Sequence, residues 1–268
     1  EPCEITHHSI VGDVGHVGSI QINLPYDPEG SIYTNPDAYY NLIYNGPTWH
    51  VSTTGSDDND GSEDSPFATI QHAVNTTSNL DTIFIHDGTY YEHLEWSGKA
   101  LSLFGVEGDS VVINAQGHND NVYPVINFAH FNDDDGDFIP DTSRFYNLTL
   151  TNGYSYTRAG GLYYGFGNAV VRNCVISGND NGGGLMARNS FIKIESCKIH
   201  DNYKDNYQGG GINIQYGSGM ITNTSIINNS SPGDGGGMFI KNSDVELSNN
   251  TIQDNTTTDG QGGGIYIE

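Results

Sequence analysis

The chain has 268 residues, with 9 basic against 33 acidic side chains and a formal net charge of -24. That balance leaves no basic patch to release phosphate counterions, which excludes nucleic acid as a partner. No run of 18 apolar residues offers a membrane-spanning helix, and 35 Gly with 17 Tyr against 3 Met suit turns and strands.

The chain opens at Glu1-Pro2-Cys3 without Met, which we read as a secreted protein whose signal peptide has been removed. Residues 1–48 carry no repeat; Pro25, Pro28, Pro36 and Pro47 interrupt them, and Ile20, Ile22 and Leu24 alternate as one strand. This segment is a linker, a wrapping arm or a small cap. After Trp49-His50-Val51 comes an acidic loop from Asp57 to Asp64, where Asp57-Asp58-Asn59-Asp60-Gly61 is a secondary candidate for a cation. Ser65 then Pro66 reads as an N-cap and first-turn proline, with Phe67, Ile70, Ala73 and Val74 on one helical face. A short helix there would plug the first coil of a repeat protein. Strands are expected at 82–86, 100–104, 111–114, 125–128 and 145–150, from alternating apolar residues.

Between the fourth and fifth of these lies Asp133-Asp134-Asp135-Gly136-Asp137-Phe138-Ile139-Pro140-Asp141. It resembles a thrombospondin type-3 calcium loop. That resemblance implies Ca2+ held by the carboxylates of Asp133, Asp135, Asp137 and Asp141 and the carbonyl of Ile139. Oxygen ligands are what a hard cation takes. Phe138 stands where the turn glycine would be, and Arg144 where the last carboxylate would be.

From residue 160 the chain repeats. Three glycines and an apolar triplet recur at 182–187, 209–214, 235–240 and 262–267, after a weaker copy at Gly160-Gly161-Leu162. Leu185, Ile212, Met238 and Ile265 step by 27, 26 and 27 residues. A second phrase, Ile-x-x-Asn, falls between them and closes on Asn179, Asn202, Asn229 and Asn255. The apolar positions alternate (Ile212 and Ile214, Met238 and Ile240), which is the period of a strand with one buried face. Short strands and Asn/Gly corners at this period define an all-β fold, a parallel β-helix whose coils stack at about 4.8 Å. Asn147, Asn173, Ser196, Asn223 and Asn249 fall in one corner row, where we expect asparagine amides to bond along the stack.

The paired phrases resemble the repeats of polymorphic outer-membrane adhesins. The stretch from Trp49 through Pro66-Phe67-Ala68-Thr69-Ile70 to Gly88-Thr89-Tyr90 resembles the opening of family-nine pectate lyases. The resemblances imply a right-handed, single-stranded β-helix over 49–268 and an extracellular or cell-surface location.

Cys174 and Cys197 are one coil apart and should stack facing the core, as buried thiols or as an inter-coil disulfide; Cys3 is free or unpaired. Arg172 and Glu195, also one coil apart, should form an ion pair. The row that follows each glycine-led apolar residue is Tyr163, Met186, Asn213, Phe239 and Tyr266; it points away from the core and is the expected ligand-binding stripe. Arg158 and Lys204 lie on loops with Tyr154, Tyr156, Tyr203 and Tyr207, where a sugar could stack. Of the seven sequons, those at Asn75, Asn228 and Asn229 are expected to be the accessible ones.

The function expected from the sequence is an extracellular binding or structural module of adhesin type, stabilised by Ca2+. Its partner is a polysaccharide or surface glycan, or copies of itself. The alternatives are a calcium-dependent polysaccharide lyase and a self-assembling surface subunit. Because the chain ends at Glu268 in a glycine-led strand, we expect a longer parent polypeptide or a covering chain.

Overall fold

The computed structural model describes residues 47–268 except 107, 109, 117–121, 130–140 and 206–207. The compact unit is Thr48–Glu268, a parallel β-solenoid of about six turns. Each full coil contributes three short strands, one to each of three faces. On the first face Leu162, Leu185, Ile212, Met238 and Ile265 lie in register. On the second, Val171, Ile194, Ile221 and Leu247 do so, and on the third Ile176, Ile199, Ile226 and Ile252. The alternation read from the sequence therefore places one apolar residue per strand directly above its equivalent. Nearly all of these rows join one continuous buried column running from Val51 to Ile240.

The corner between the second and third faces is a single residue in the left-handed region, at Asn147, Asn173, Ser196, Asn223 and Asn249, with φ between 51° and 58°. Asparagine tolerates that conformation better than most residues. Asn147 thereby divides the strand expected at 145–150 into Thr142–Tyr146 and Leu148–Thr151.

The amide ladder does not run along this corner, as expected, but along the other asparagine row. Asn179 Nδ2 donates to Asn202 Oδ1 at 2.9 Å, Asn202 Nδ2 to Asn229 Oδ1 at 2.9 Å, and Asn229 Nδ2 to Asn255 Oδ1 at 3.0 Å. Each of these oxygens also accepts the backbone N–H of the preceding asparagine. Asn179, Asn202 and Asn229 are buried, so the sequon at Asn229 lies inside the column while Asn75 and Asn228 are exposed. The glycine triplets lie against this ladder. A Cβ on Gly211 would sit 2.9 Å from Asn229 Nδ2 and 2.6 Å from the Gly237 carbonyl. Hence the two repeated phrases form one packing unit.

The helix spans Ile70–Thr76, with Thr69 as its N-cap rather than Ser65; Phe67 instead bridges Val51. Asp57 accepts the N–H groups of Ala68 and Thr69, and Glu92 those of Ile70 and Gln71. Lys99 Nζ donates to the carbonyls of Val74 and Thr77 at the other end. Anions at the first turn and a cation at the last complement the helix dipole. Ile70, Ala73 and Val74 are fully buried in the core column, as expected of a plug.

Candidate functional site

The expected ligand stripe is largely covered. Tyr163, Met186, Asn213 and Phe239 are each no more than 9% exposed, and Tyr266 is partly exposed. The row does point out of the column: Tyr163 and Met186 pack with Ala159 in a cluster separate from the main core. What hides it is the loops. The Arg158 guanidinium lies 4.8 Å over the Tyr163 ring, and Asn213 Nδ2 donates to the Gln208 carbonyl at 2.7 Å. Gly209 and Gly235, with φ of 81° and 71°, bring the backbone down onto Asn213 and Phe239. An alternating pattern shows which way a side chain points, but not whether a loop lies over it.

The acidic candidates separate into two cases. Asp133, Asp135, Asp137 and Ile139 lie outside the described residues; Asp141 lies within them, and its carboxylate accepts a hydrogen bond from Asn79 Nδ2 at 2.7 Å. In the Asp57–Asp64 loop the carboxylates turn to the protein itself. Asp57 caps the helix, and Asp60 accepts the N–H and hydroxyl of Ser62. Among the described residues no group of three or more His, Cys, Asp or Glu converges on a metal position.

Cys174 and Cys197 are buried free thiols, whose Sγ atoms contact carbonyls of adjacent coils. Burial pushes the Cys174 thiol up, so it behaves as a small apolar side chain. Arg172 and Glu195 pair at 2.7 Å, as their one-coil spacing implied.

The loop edge between the third and first faces gathers the remaining chemistry. The Tyr154 N–H donates to the Tyr123 carbonyl, Tyr154 bridges Asp180, and the Tyr203 N–H donates to the Asn179 carbonyl. Tyr123, Tyr154, Asp180 and Tyr203 thus occupy successive rungs, spanning roughly 14 Å at the strand spacing of the coils. His93 stacks on Tyr123 with centroids 4.1 Å apart and planes 10° apart, and Tyr156 meets Tyr154 edge-on at 5.3 Å. Tyr91, Tyr123, Tyr156 and Tyr203 are the exposed members, at 64%, 41%, 44% and 40%. Tyr154, Tyr156 and Tyr203 were visible in the sequence as loop tyrosines. Tyr91, His93 and Tyr123 were not, because the loops carrying them follow no period.

Lys204 lies beneath this edge, 3% exposed, with Nζ donating to the Arg158 carbonyl at 2.9 Å. Arg158 in turn donates to Asn127 Oδ1 at 2.6 Å, and Asn127 donates to Glu95 at 2.6 Å. The two loop cations are therefore brought together, but as a brace between loops rather than as solvated charges. Burial pulls the Lys204 ammonium down to about 8. The folded state thus sheds this proton near pH 8 and the unfolded chain near 10.5, so stability should rise with pH across that window. Lys204→Met should remove the rise, changing the pH 7 to pH 10.5 difference in unfolding free energy by about 3 kcal/mol. Urea melts of both proteins at the two pH values measure it.

Residues 129–268 match the family described as the right-handed β-helix region, just over half of the chain. The chain belongs to this family. A 76-residue stretch is 34% identical to the uncharacterized protein YwoF of Bacillus subtilis (strain 168). That match covers 26% of this chain and only 16% of the relative's length. Among solved structures, XylC in complex with xylose shares 11% identity over 80% of this chain and 68% of its own, with a TM-score of 0.35. The GH136 lacto-N-biosidase of Eubacterium ramulus shares 11% over 81% and 58%, at 0.37. Pectin methylesterase from carrot shares 15% over 84% and 89%, at 0.34. Likenesses at this level carry no argument about activity.

Proposed function

We propose that this chain is an extracellular β-helix binding module of adhesin type that holds a polysaccharide or surface glycan along its tyrosine edge. The observation that carries the reading is the set of exposed aromatic side chains along one loop edge: Tyr123 and Tyr203 on the first and last of four successive rungs, Tyr156 against Tyr154 on the second, and His93 stacked on Tyr123. Tyrosine offers a flat apolar face and a polar tip at small entropic cost, which suits sugar rings. The rungs are fixed by backbone hydrogen bonds, so the platform is preorganised. The charge of the chain narrows the ligand: at a net charge of -24, with Asp180 and Asp205 on the edge itself, a neutral glycan is favoured over a polyuronate.

Affinity electrophoresis through neutral and anionic polysaccharides tests this directly. Tyr203→Ala and Tyr156→Ala should each weaken retention by a neutral glycan about tenfold. Unchanged retention in both variants would refute the edge as the site. Repeating the runs with calcium and with a chelator addresses the role given to Ca2+ and the loop ending at Asp141. A chelator that leaves both retention and melting temperature unchanged would remove calcium from the proposal.

A further inference from the structure

His50 lies in strand Thr48–Val51, and His86 directly follows strand Thr82–Ile85. The two strands pair in parallel, with His50 opposite Phe84 and Val51 opposite Ile85, so the two imidazoles are diagonal neighbours on the first rungs of the second face. Their nitrogens converge: His50 Nδ1 is 3.2 Å from His86 Nε2, with ring centroids 5.5 Å apart.

The pair is held from several sides. The His50 N–H donates to the Gly61 carbonyl, the Phe67 N–H to the His50 carbonyl and the His86 N–H to the Val51 carbonyl. The Tyr90 hydroxyl donates to the His86 carbonyl, and Phe84 stacks on the His50 ring at 5.4 Å. Both rings remain half-exposed.

Two imidazole nitrogens bound to one tetrahedral ion at about 2.0–2.1 Å each lie about 3.3 Å apart. The 3.2 Å between the nitrogens is close to that distance; binding turns the hydrogen-bonded rings until both lone pairs face the ion, while the sheet positions stay in place. We infer that His50 and His86 form a two-histidine site for a transition-metal ion of the class that imidazole binds, Zn2+, Cu2+ or Ni2+. No third His, Cys, Asp or Glu is in place among the described residues, so the other positions fall to water or to an oxygen of a bound ligand.

The proton count is simple. In the metal-free pair one hydrogen lies between the two nitrogens. The ion replaces it, and the proton of whichever ring donates moves to that ring's other nitrogen, so neutral rings stay neutral. Below the histidine range the ion must instead displace a proton, and binding weakens. The charged and titratable groups acting on His50 are His86 from the neighbouring strand and Glu63 from the acidic loop; Asp87 follows His86. Burial and then His86 hold His50 below its ordinary value, against the opposite pull of Glu63. Oxygen-seeking Ca2+ should not compete, which separates this site from the calcium reading.

The test is isothermal titration of the full chain with Zn2+ and with Cu2+ at pH 7.5, for the native sequence and for His50→Gln and His86→Gln. The chain has ten histidines, so the difference between proteins is the readout. Each variant should lose one equivalent of bound metal, or bind it at least tenfold more weakly, with Cu2+ tighter than Zn2+. Identical isotherms for all three proteins would overturn the site. If a variant fails to fold, substoichiometric Cu2+ added to the native chain should broaden the ring proton resonances of His50 and His86 first. Broadening confined to other histidines would overturn the inference equally.

Discussion

Asn202→Leu is expected to lower the unfolding free energy by about 4 kcal/mol, because it cuts the asparagine ladder at a rung with no access to water. Asn202 Oδ1 accepts the Asn179 backbone N–H at 3.1 Å and the Asn179 amide at 2.9 Å. Its own amide donates to the Ile176 carbonyl and to Asn229 Oδ1, both at 2.9 Å. Leucine leaves the Asn179 backbone N–H and one of its two amide hydrogens without partners, the other amide hydrogen keeping the Leu150 carbonyl, and strips one donor each from Ile176 and Asn229. Asn229 Oδ1 keeps the Asn202 N–H, so the damage is centred on Asn179, itself 1% exposed. Each orphaned buried donor costs roughly 1–3 kcal/mol, and the gain from an apolar side chain does not offset two of them. For a domain of this size the melting temperature should fall by at least about 8 °C. Asn202→Asp keeps the acceptor but sets oxygen against oxygen at Ile176 and Asn229, so its deficit should grow as pH rises through the carboxyl range. A loss below about 1 kcal/mol for Asn202→Leu would mean that the ladder is not a dry, continuous network.

Gly184→Ala should be nearly as damaging, for a steric reason. Its Cβ would lie 2.6 Å from the Gly211 carbonyl oxygen, 2.9 Å from Asn202 Nδ2 and 3.1 Å from an Ile199 methyl. Two of the three neighbours belong to the backbone or to the ladder, so relief requires moving a coil or breaking a rung, about 3 kcal/mol by the usual cost of overpacking. Gly184 is not among the glycines with positive φ, so backbone strain is not the cause. Gly264 occupies the same motif position and supplies the control: its Cβ would meet only an Ile252 methyl, at 3.5 Å. Gly264→Ala should change stability by less than about 1 kcal/mol, because it only restricts the unfolded chain. Thermal melts of the two variants side by side decide the matter. Equal losses would show that the motif glycines serve turn conformation rather than close packing.

Much of the fold was legible before any coordinate. The 26- and 27-residue steps between Leu185, Ile212, Met238 and Ile265 became a register of directly paired strands. The spacing of Arg172 and Glu195 became an ion pair, and that of Cys174 and Cys197 a stacked buried pair. In a parallel solenoid, sequence period and spatial stacking are one quantity, so arithmetic along the chain locates neighbours without a structure. The candidate site was much less legible. Two asparagine rows share one period, yet Asn173 turns a corner while Asn202 bonds inside the column, a difference set by φ and side-chain direction rather than by spacing. The apolar row of Tyr163, Met186 and Phe239 pointed outward as read, but glycine loops hide it.

What the sequence by itself determined is therefore the coil: its length, its strand faces and the residues that stack along it. What only the tertiary structure decided is the surface. His93 stacks on Tyr123 along the edge that also carries Tyr156 and Tyr203, Lys204 braces Arg158 beneath it, and His50 finds His86 across two strands. These residues lie in loops or in the irregular first coils, where no period relates position to place. Their meeting depends on loop paths and side-chain torsions that pattern reading does not contain.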